Sequence, residues 1–333
     1  MPASAPRVAQ LHDGILAGDR TRIGQAITRV ESTRPQDRMD AAELIRGLVA
    51  HQASTAAPAA RRVGITGVPG VGKSTFIDAL GSDLTAAGHR VAVLAVDPSS
   101  SVTGGSILGD KTRMERLSMD PRAFIRPSPA SGHLGGVGRA TREAMIVLES
   151  AGYDVVLVET VGVGQSETVV AEMVDFFLVL MLPGAGDELQ GIKKGVLELA
   201  DMVAVNKADA NPQQTQLAVR DYSAALRLLT PTSAHWQPPV MSCSGLTGQG
   251  LKDLWDQIEL HHQKLEQVGE LQAKRQRQQV RWMWSLIDDR LRREMHARPE
   301  VSGAVTAAEE DVRLGRRGAP EAADHLVDLF FGR

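Results

Sequence analysis

The chain has 333 residues, of which 43% are hydrophobic and 23% are charged, a balance typical of a globular protein with a substantial core. Its formal net charge of −3 shows no excess of basic residues, which argues against a nucleic-acid-binding or membrane-surface protein. The single cysteine, Cys243, excludes an internal disulfide and a metal site built from several cysteines.

The first 60 residues are predicted to form an N-terminal helical extension. Apolar residues of this region, among them Ile15, Ile23 and Ile27, recur at helical spacing. The Ala- and Pro-rich segment Ser54–Ala60 is predicted to be a linker into the first strand. The sequence shows no apolar leader and no run of the ~20 apolar residues that a membrane span needs, so we expect a cytoplasmic protein.

A phosphate-binding loop follows the linker. It fits the pattern G-x-x-x-x-G-K-S and lies between a predicted strand, Val63–Thr66, and a predicted helix, Thr75–Leu80. The predicted nucleotide-binding residues are Gly67, Val68, Pro69, Gly70, Val71, Gly72, Lys73, Ser74 and Thr75. The glycines let backbone N–H groups and the positive end of the helix point at phosphate oxygens. We predict that Lys73 binds the β- and γ-phosphates and that the Ser74 hydroxyl ligates Mg²⁺.

Apolar segments alternate with helical stretches over residues 61–262. The predicted strands are Val63–Thr66, Val91–Val96, Phe124–Arg126, Val155–Val158, Phe176–Leu182, Met202–Val205 and Val240–Ser242. Because parallel strands need helical crossovers, this order predicts an α/β protein, a P-loop NTPase with a mostly parallel central sheet flanked by helices. Ligands of such a sheet bind at the carboxyl ends of the strands, where each motif of this chain falls.

Acidic residues follow several of these strands. Glu159 begins E-T-V-G where ordinary GTPases have D-x-x-G, so its carboxylate can hold Mg²⁺ through a water. Asp97 ends another strand, although a helix or turn cap is an alternative role for it. Asp110 lies in a Gly- and Ser-rich segment, and its role stays open on the residues alone.

The residue after the E-T-V-G motif bears on the rate of hydrolysis. The Gly162 N–H can meet the γ-phosphate, but Val163 follows where many regulatory GTPases carry a water-positioning glutamine. Gln165 lies two residues further on, and the sequence leaves its reach open. We therefore expect slow intrinsic hydrolysis that a partner accelerates.

An N-K-x-D motif, Asn206, Lys207 and Asp209, follows the predicted strand Met202–Val205. Asp209 can accept from both the N1–H and the exocyclic amine of guanine, whereas adenine presents no matching pair of donors. Asn206 would hold the loop, and the Lys207 stem would lie along the base. The motif favours guanine, so the expected nucleotides are GTP and GDP.

Residues 263–333 are predicted to be helical. One helix is predicted from Gln263 to His296 and is stopped by Pro299, and a final helix starts at Pro320. The basic residues of the helix from Gln263 to His296 are interpreted as the solvated face of an amphipathic helix: Lys274, Arg275, Arg277, Arg281, Arg290, Arg292 and Arg293. Acidic residues dilute this charge, so a dimerisation arm is favoured over a nucleic-acid-binding module.

Three segments of the chain form a highly specific set: Glu159–Glu167, Asp97–Ser100 and Ile107–Met114. They resemble the MeaB/ArgK family of GTPases, which are associated with adenosylcobalamin-dependent methylmalonyl-CoA mutase. The resemblance extends from about residue 41 to the final helix. It implies a GTPase chaperone that docks on the mutase, gates cobalamin loading and protects the mutase from inactivation. It also implies a homodimer formed through the C-terminal helices.

The resemblance assigns roles by matching position. It implies that Lys73 and Ser74 serve phosphate and Mg²⁺, and that Asp97, Asp110 and Glu159 surround the metal as catalytic and metal-binding residues.

The segment Leu182–Lys194 resembles the family's additional switch, which relays the nucleotide state to the mutase. Its predicted partner-facing residues are Asp187, Glu188, Gln190 and Lys193. From the residues alone it is a charged loop with glycines at a strand end, for which an ordinary connection is the alternative.

The base-contacting loop departs from the family pattern, which reads roughly Ser-Ala, because this chain has Ser244 and Gly245. Backbone N–H groups make that contact, so we expect glycine to preserve it while loosening the loop. Cys243 beside it is expected to be a small buried residue.

Two other P-loop functions are alternatives. A nickel-insertion GTPase needs clustered His or Cys ligands, but the nine histidines are scattered and the pair His261–His262 points in different directions on a helix. A P-loop kinase is disfavoured by the N-K-x-D motif and by the absence of an evident acceptor lid. Candidate charge stabilisers near the γ-phosphate, which the sequence does not rank, are Arg113, Arg126, Arg139 and Arg142.

Overall fold

The computed structural model describes residues 5–55, 58–97, 114–129, 134–160, 166–184, 194–229 and 231–333. Several predicted site residues lie outside these ranges: Asp110, Arg113, Gly162, Val163, Gln165, Asp187, Glu188, Gln190 and Lys193. The chain divides into two compact units, one ending at Gln278 and the other running from Gln279 to Arg333. Among the helices of the described ranges, none combines the length and the apolar character that a transmembrane segment needs.

Three helices precede the sheet, which confirms the predicted helical extension. They are α1 (Ala5–Leu16), α2 (Arg20–Glu31) and α3 (Pro35–Ser54). The Asp19 side chain caps α2 by accepting from the backbone N–H groups of Thr21 and Arg22. Ile15, Ile23 and Ile27 are fully buried, as their helical spacing predicts.

The central sheet has seven strands, and every pair of neighbours within the described residues is parallel. The strands are β1 (Arg61–Gly67), β2 (Val91–Asp97), β3 (Ala123–Pro129), β4 (Val155–Thr160), β5 (Phe176–Met181), β6 (Met202–Val205) and β7 (Val240–Ser242). Their order across the sheet is β3-β2-β4-β1-β5-β6-β7, so β1 is central, between β4 and β5. This arrangement confirms the predicted α/β fold class.

Helices connect the strands. They are α4 (Lys73–Ala86), α5 (Glu115–Met119), α6 (Leu134–Ser150), α7 (Ser166–Ala171), α8 (Lys194–Glu198) and α9 (Pro212–Arg227), and α10 (Leu251–Gln267) follows β7. All residues of β4 and β5 are buried, which explains why these strands read as continuous apolar runs rather than alternating ones.

The helix predicted from Gln263 to His296 is two helices in the structure. α10 ends at Gln267, and α11 (Glu270–Ala297) begins after Gly269, whose φ of 72° lies in the left-handed region. A glycine adopts this conformation at little cost and ends the helix. Two further helices follow, α12 (Pro299–Arg313) and α13 (Ala319–Phe331).

The first turns of α11 also correct one interpretation of the basic residues. Arg275 binds Asp175 through Nε–Oδ1 at 2.8 Å and Nη2–Oδ2 at 2.5 Å. Lys274 Nζ donates to the Asp175 carbonyl at 2.7 Å. These two side chains therefore do not belong to a solvated face, because the carboxylate of Asp175 holds Arg275 and its backbone carbonyl holds Lys274 at the amino edge of the sheet.

Candidate nucleotide-binding site

The phosphate loop lies at the carboxyl end of the central strand. β1 ends at Gly67 and α4 begins at Lys73, so the loop delivers the chain directly into a helix N-terminus. Gly72 caps this helix with a φ of 91°, and a Cβ here would lie 3.1 Å from Asn206 Nδ2. The position therefore requires glycine for its conformation and has little room for a side chain.

Lys73 is folded back over the loop. Its Nζ donates to the Gly67 carbonyl at 2.8 Å and lies 3.4 Å from the Val68 carbonyl. Burial lowers the pKa of Lys73, and the negative charges of Glu159 and Glu167 oppose that effect. The loop thus holds a half-buried cation on backbone carbonyls at a helix N-terminus.

Two of the three predicted metal-binding residues in the described ranges, Ser74 and Glu159, lie together. The Ser74 hydroxyl donates to Glu159 Oε1 over 3.2 Å. Glu159 is buried on β4 and pairs in register with Ile65 of β1. Asp97 is the last residue of β2, the strand on the other side of β4. Ser74 and Glu159 offer hydroxyl and carboxylate oxygens, the donors that Mg²⁺ prefers.

Asn206 joins three loops. Its Nδ2 donates to the Val71 carbonyl at 2.8 Å, and its Oδ1 accepts from the Gly245 N–H at 2.9 Å. Lys207 Nζ donates to the Gly70 carbonyl at 2.8 Å, and Lys207 has a φ of 61°, rare for a residue with a side chain. The N-K-x-D motif, the phosphate loop and the base loop therefore form one connected structure.

The base loop is attached to the N-K-x-D segment by backbone hydrogen bonds. The Ala208 N–H donates to the Cys243 carbonyl at 3.0 Å, and the Cys243 N–H donates to the Val205 carbonyl at 2.9 Å. Within the base loop, the Ser244 hydroxyl oxygen accepts from the Thr247 N–H at 3.1 Å. Asp209 is exposed beside this loop. Cys243 is fully buried, as predicted, and burial raises its pKa to about 12, so the thiol is unreactive.

Gly245 packs closely on the first turn of α4. A Cβ at this position would lie 2.8 Å from Phe76 Cα and 3.0 Å from Phe76 N. The structure thus contradicts the expectation that glycine loosens this loop, because the missing side chain lets two backbones approach each other.

Two features of the site are not indicated by the sequence motifs. Glu167, in the first turn of α7, is buried, and its charge acts on Lys73. The Thr160 hydroxyl donates to the Thr66 hydroxyl oxygen at 2.7 Å, and both residues are buried. Glu167 belongs to a segment that carries the family resemblance, but the threonines look like ordinary strand residues.

The three described arginine candidates have partners elsewhere. Arg126 pairs with Glu31 of α2, and Arg139 pairs with Glu143 of its own helix. Arg142 donates to the Gln278 carbonyl at 3.2 Å and to the Glu172 carbonyl at 2.8 Å, and burial lowers its pKa to about 10. These contacts explain the three guanidinium groups as structural cations.

A lysine-bearing phosphate loop joined to a guanine-type base motif at the carboxyl edge of a parallel sheet defines a P-loop GTPase. The profile of the family described as methylmalonyl Co-A mutase-associated GTPase MeaB matches residues 23–300. The chain is 46% identical to the GTPase ArgK of Escherichia coli, over 94% of this chain and 95% of that protein. It is 45% identical to the mitochondrial methylmalonic aciduria type A homolog of Mus musculus, over 98% of this chain and 80% of that protein.

A solved structure also resembles this chain over nearly its whole length. The crystal structure of a LAO/AO transport system kinase matches with a TM-score of 0.76 and 34% identity, over 97% of both chains. The chain therefore belongs to the MeaB family of P-loop GTPases. This result confirms the predicted resemblance and the predicted enzyme class, a GTPase.

Proposed function

We propose that this GTPase binds GTP and GDP at the carboxyl edge of the sheet with Lys73 on the phosphates and Asp209 on the guanine base. The observation that carries the proposal is the direct linkage of the two recognition motifs through Asn206, at 2.8 Å to Val71 and 2.9 Å to Gly245. This linkage gives the phosphate loop and the base loop a fixed separation, so one ligand can be held at both ends.

Ser74 and Glu159 are proposed to hold Mg²⁺, together with Asp97 and Asp110. The 3.2 Å contact between the Ser74 and Glu159 oxygens supports this assignment, because both donors are hard oxygen ligands already directed at one another. The bound ion would supply neutralisation of phosphate charge. Lys73 adds a second positive charge, and the backbone N–H of Gly162 is proposed to contact the γ-phosphate.

Base selection is proposed to depend on Asp209, with Ser244 and Gly245 shaping the other side of the base pocket. In Asp209→Asn the acceptor pair is lost, and the amide can instead pair with xanthine, which carries a carbonyl in place of the exocyclic amine. Competition with labelled GDP should show a shift from guanosine to xanthosine nucleotides. The matched control is Asp253→Asn, an exposed aspartate on α10, which should keep guanine preference.

The proposed protein partner is methylmalonyl-CoA mutase, an adenosylcobalamin-dependent enzyme. The family description and the name of the mouse relative support this partner. We propose that the GTPase docks on the mutase, gates loading of its cobalamin and protects it from inactivation. The segment Leu182–Lys194 would relay the nucleotide state, with Asp187, Glu188, Gln190 and Lys193 facing the partner.

GTP turnover measured with and without the mutase tests this partnership. We expect slow intrinsic turnover that the mutase accelerates, and Glu188→Ala should lose the acceleration while keeping the intrinsic rate. The control Glu266→Ala, exposed at the end of α10, should respond to the mutase normally. If the mutase changed neither turnover nor nucleotide affinity, the chaperone function would be refuted.

A homodimer is proposed from the second compact unit. The part of α11 in this unit exposes an apolar stripe at helical spacing: Val280, Met283, Trp284, Ile287 and Leu291. A second copy of the chain would bury this stripe. Sedimentation should give a dimer for the natural chain and a monomer for Ile287→Glu, whereas Arg292→Glu, on an exposed polar position, should stay dimeric. A monomeric natural chain would contradict the proposal.

A further inference from the structure

A buried pair of hydroxyl groups lies where the Glu159 strand separates from the phosphate-loop strand. Thr160 Oγ1 donates to Thr66 Oγ1 over 2.7 Å. Thr160 is fully buried and Thr66 is 2% exposed. Thr66 directly precedes Gly67, the first residue of the phosphate loop, and Thr160 directly follows Glu159. Thr66 therefore adjoins the phosphate loop, and Thr160 is the variable second position of the E-T-V-G motif.

The backbone ladder between β1 and β4 ends at this point. Its last pair is Ile65 with Glu159. Beyond it, β1 continues along β5 as far as the pair of Gly67 with Leu180, while Thr160 pairs with Val96 of β2 on its other side. After Glu159, β1 and β4 are thus no longer paired with each other, and each strand keeps only its outer neighbour. The hydroxyl bond continues their connection one residue beyond the ladder.

Two hydrogen bonds and the chain itself connect Thr66, Ser74, Glu159 and Thr160 in a closed ring of contacts. Ser74, which the chain reaches from Thr66 through the phosphate loop, donates to Glu159 at 3.2 Å. Glu159 is followed by Thr160, and Thr160 returns to Thr66 through the hydroxyl bond. Because hydrogen bonds depend on direction as well as distance, this bond fixes the Thr160 side chain against β1.

The residue types support a role beyond packing. Val has nearly the same shape as Thr and suits a buried strand at least as well, as the apolar neighbours on β1 and β4 show. A buried hydroxyl is costly unless it is hydrogen-bonded, so two facing threonines add a directional contact that two valines would lack.

We propose that the Thr66–Thr160 hydroxyl pair positions the Glu159 carboxylate for the metal-dependent step of the GTPase reaction. Both threonines are positioning residues that act through Glu159. The inference rests on the proposed role of Glu159 in holding Mg²⁺. The pair also anchors Thr160, the second residue of the E-T-V-G motif, against β1.

Four variants test the pair: Thr66→Val, Thr160→Val, the double valine variant and Thr160→Ser. Each single valine leaves one buried hydroxyl without its partner and should lower the melting temperature. The double valine variant replaces both partners by apolar groups of the same shape and should regain most of that stability. Thr160→Ser keeps the donor and should behave nearly as the natural chain does.

The decisive readout is the response to MgCl₂ in the double valine variant. Bound Mg²⁺ is expected to slow the release of labelled GDP. In this variant, the Mg²⁺ concentration that gives half of the maximal slowing should rise by about 10–100-fold, the effect typical of residues that orient a metal ligand. The kcat for GTP should fall at saturating GTP, while KM for GTP stays within about twofold. Thr85→Val is the matched control, since Thr85 is equally buried but bonds Ser82 within α4. It should leave the Mg²⁺ response unchanged.

Two results separate failure of this inference from failure of the proposed function. If the double valine variant regained both stability and the natural Mg²⁺ response while Glu159→Gln lost that response, the pair would be structural only. If the natural chain itself showed no Mg²⁺-dependent nucleotide binding, the proposed function would fail first. A weakened Mg²⁺ response in Thr160→Ser, which keeps the hydroxyl, would also overturn the inference.

Discussion

The two edges of the central sheet both contain buried charges, but these charges have different partners. At the amino edge, Arg275 makes two hydrogen bonds to the Asp175 carboxylate, and Arg62 makes two to Glu149 at 2.5 and 2.8 Å. At the carboxyl edge, Lys73 donates to backbone carbonyls and Glu159 accepts from a serine hydroxyl. A ligand can replace a carbonyl or hydroxyl partner far more easily than the partner of a buried ion pair. Exchange of a partner for a ligand is therefore easier for Lys73 and Glu159 at the carboxyl edge than for the two ion pairs of the amino edge.

The pKa shifts show the same difference. Burial alone would raise the pKa of Asp175, but the hydrogen bonds and charge of Arg275, together with the charge of Arg62, hold it below its ordinary value. Burial lowers the pKa of Lys73, and the nearby carboxylates oppose this shift without reversing it. Charge is thus compensated at the amino edge and incompletely compensated at the phosphate loop.

The largest effect is expected from breaking an ion pair of the amino edge. Arg275→Met should lower the free energy of unfolding by about 3–5 kcal/mol, because Asp175 would remain buried without its main partner. Urea unfolding measures this loss. The neighbouring exposed Arg277→Met should cost little, and adding Asp175→Asn to Arg275→Met should recover part of the stability. A stable Arg275→Met variant that cannot hydrolyse GTP would contradict the contrast between the edges.

At the carboxyl edge the expected effect is on catalysis. Lys73→Ala should reduce kcat for GTP by about 10²–10³-fold, as for loss of a charge-stabilising donor, since the loop loses its positive side chain. The free energy of unfolding should change by less than about 1 kcal/mol. Lys252→Ala is the control, because Lys252 is largely exposed on α10. Equal GTPase rates for the natural chain and Lys73→Ala would break the comparison.

A smaller effect is expected from His261 at the amino edge. Its ring lies 4.9 Å from those of Phe176 and Trp236, and burial lowers its pKa from 6.5 to about 4. The unfolded chain therefore binds the proton more readily, so stability present above pH 6.5 is lost as the pH falls toward 4. Between pH 7 and pH 5 this amounts to about 2 kcal/mol.

Unfolding at several pH values measures that loss. His261→Phe should flatten the acid side of the stability profile by about that amount. The exposed His325→Phe should leave the profile unchanged. Residual acid sensitivity in His261→Phe is expected from His262, whose pKa burial also lowers. An unchanged profile in His261→Phe would refute the assignment.

Local patterns explain which parts of this molecule can be predicted from sequence. The apolar runs of β4 and β5 and the glycines of the phosphate loop each signal their structure within a few residues. Arg275 does not, because its partner, Asp175, lies 100 residues away in sequence and meets it only in the folded chain. Thr160 is missed for the same reason. Gly269 illustrates a different limit, since a glycine can either sit within a helix or end it.

The central claim is that a guanine nucleotide is held between the phosphate loop and Asp209 at the carboxyl edge of the sheet. Calorimetric titration of the natural chain with GTP and with ATP, each in the presence of MgCl₂, tests it most directly. We predict that GTP binds and that ATP binds at least about 100-fold more weakly, because the site is built to hydrogen-bond the guanine edge. Equal affinity for ATP, or no binding of either nucleotide, would contradict the claim.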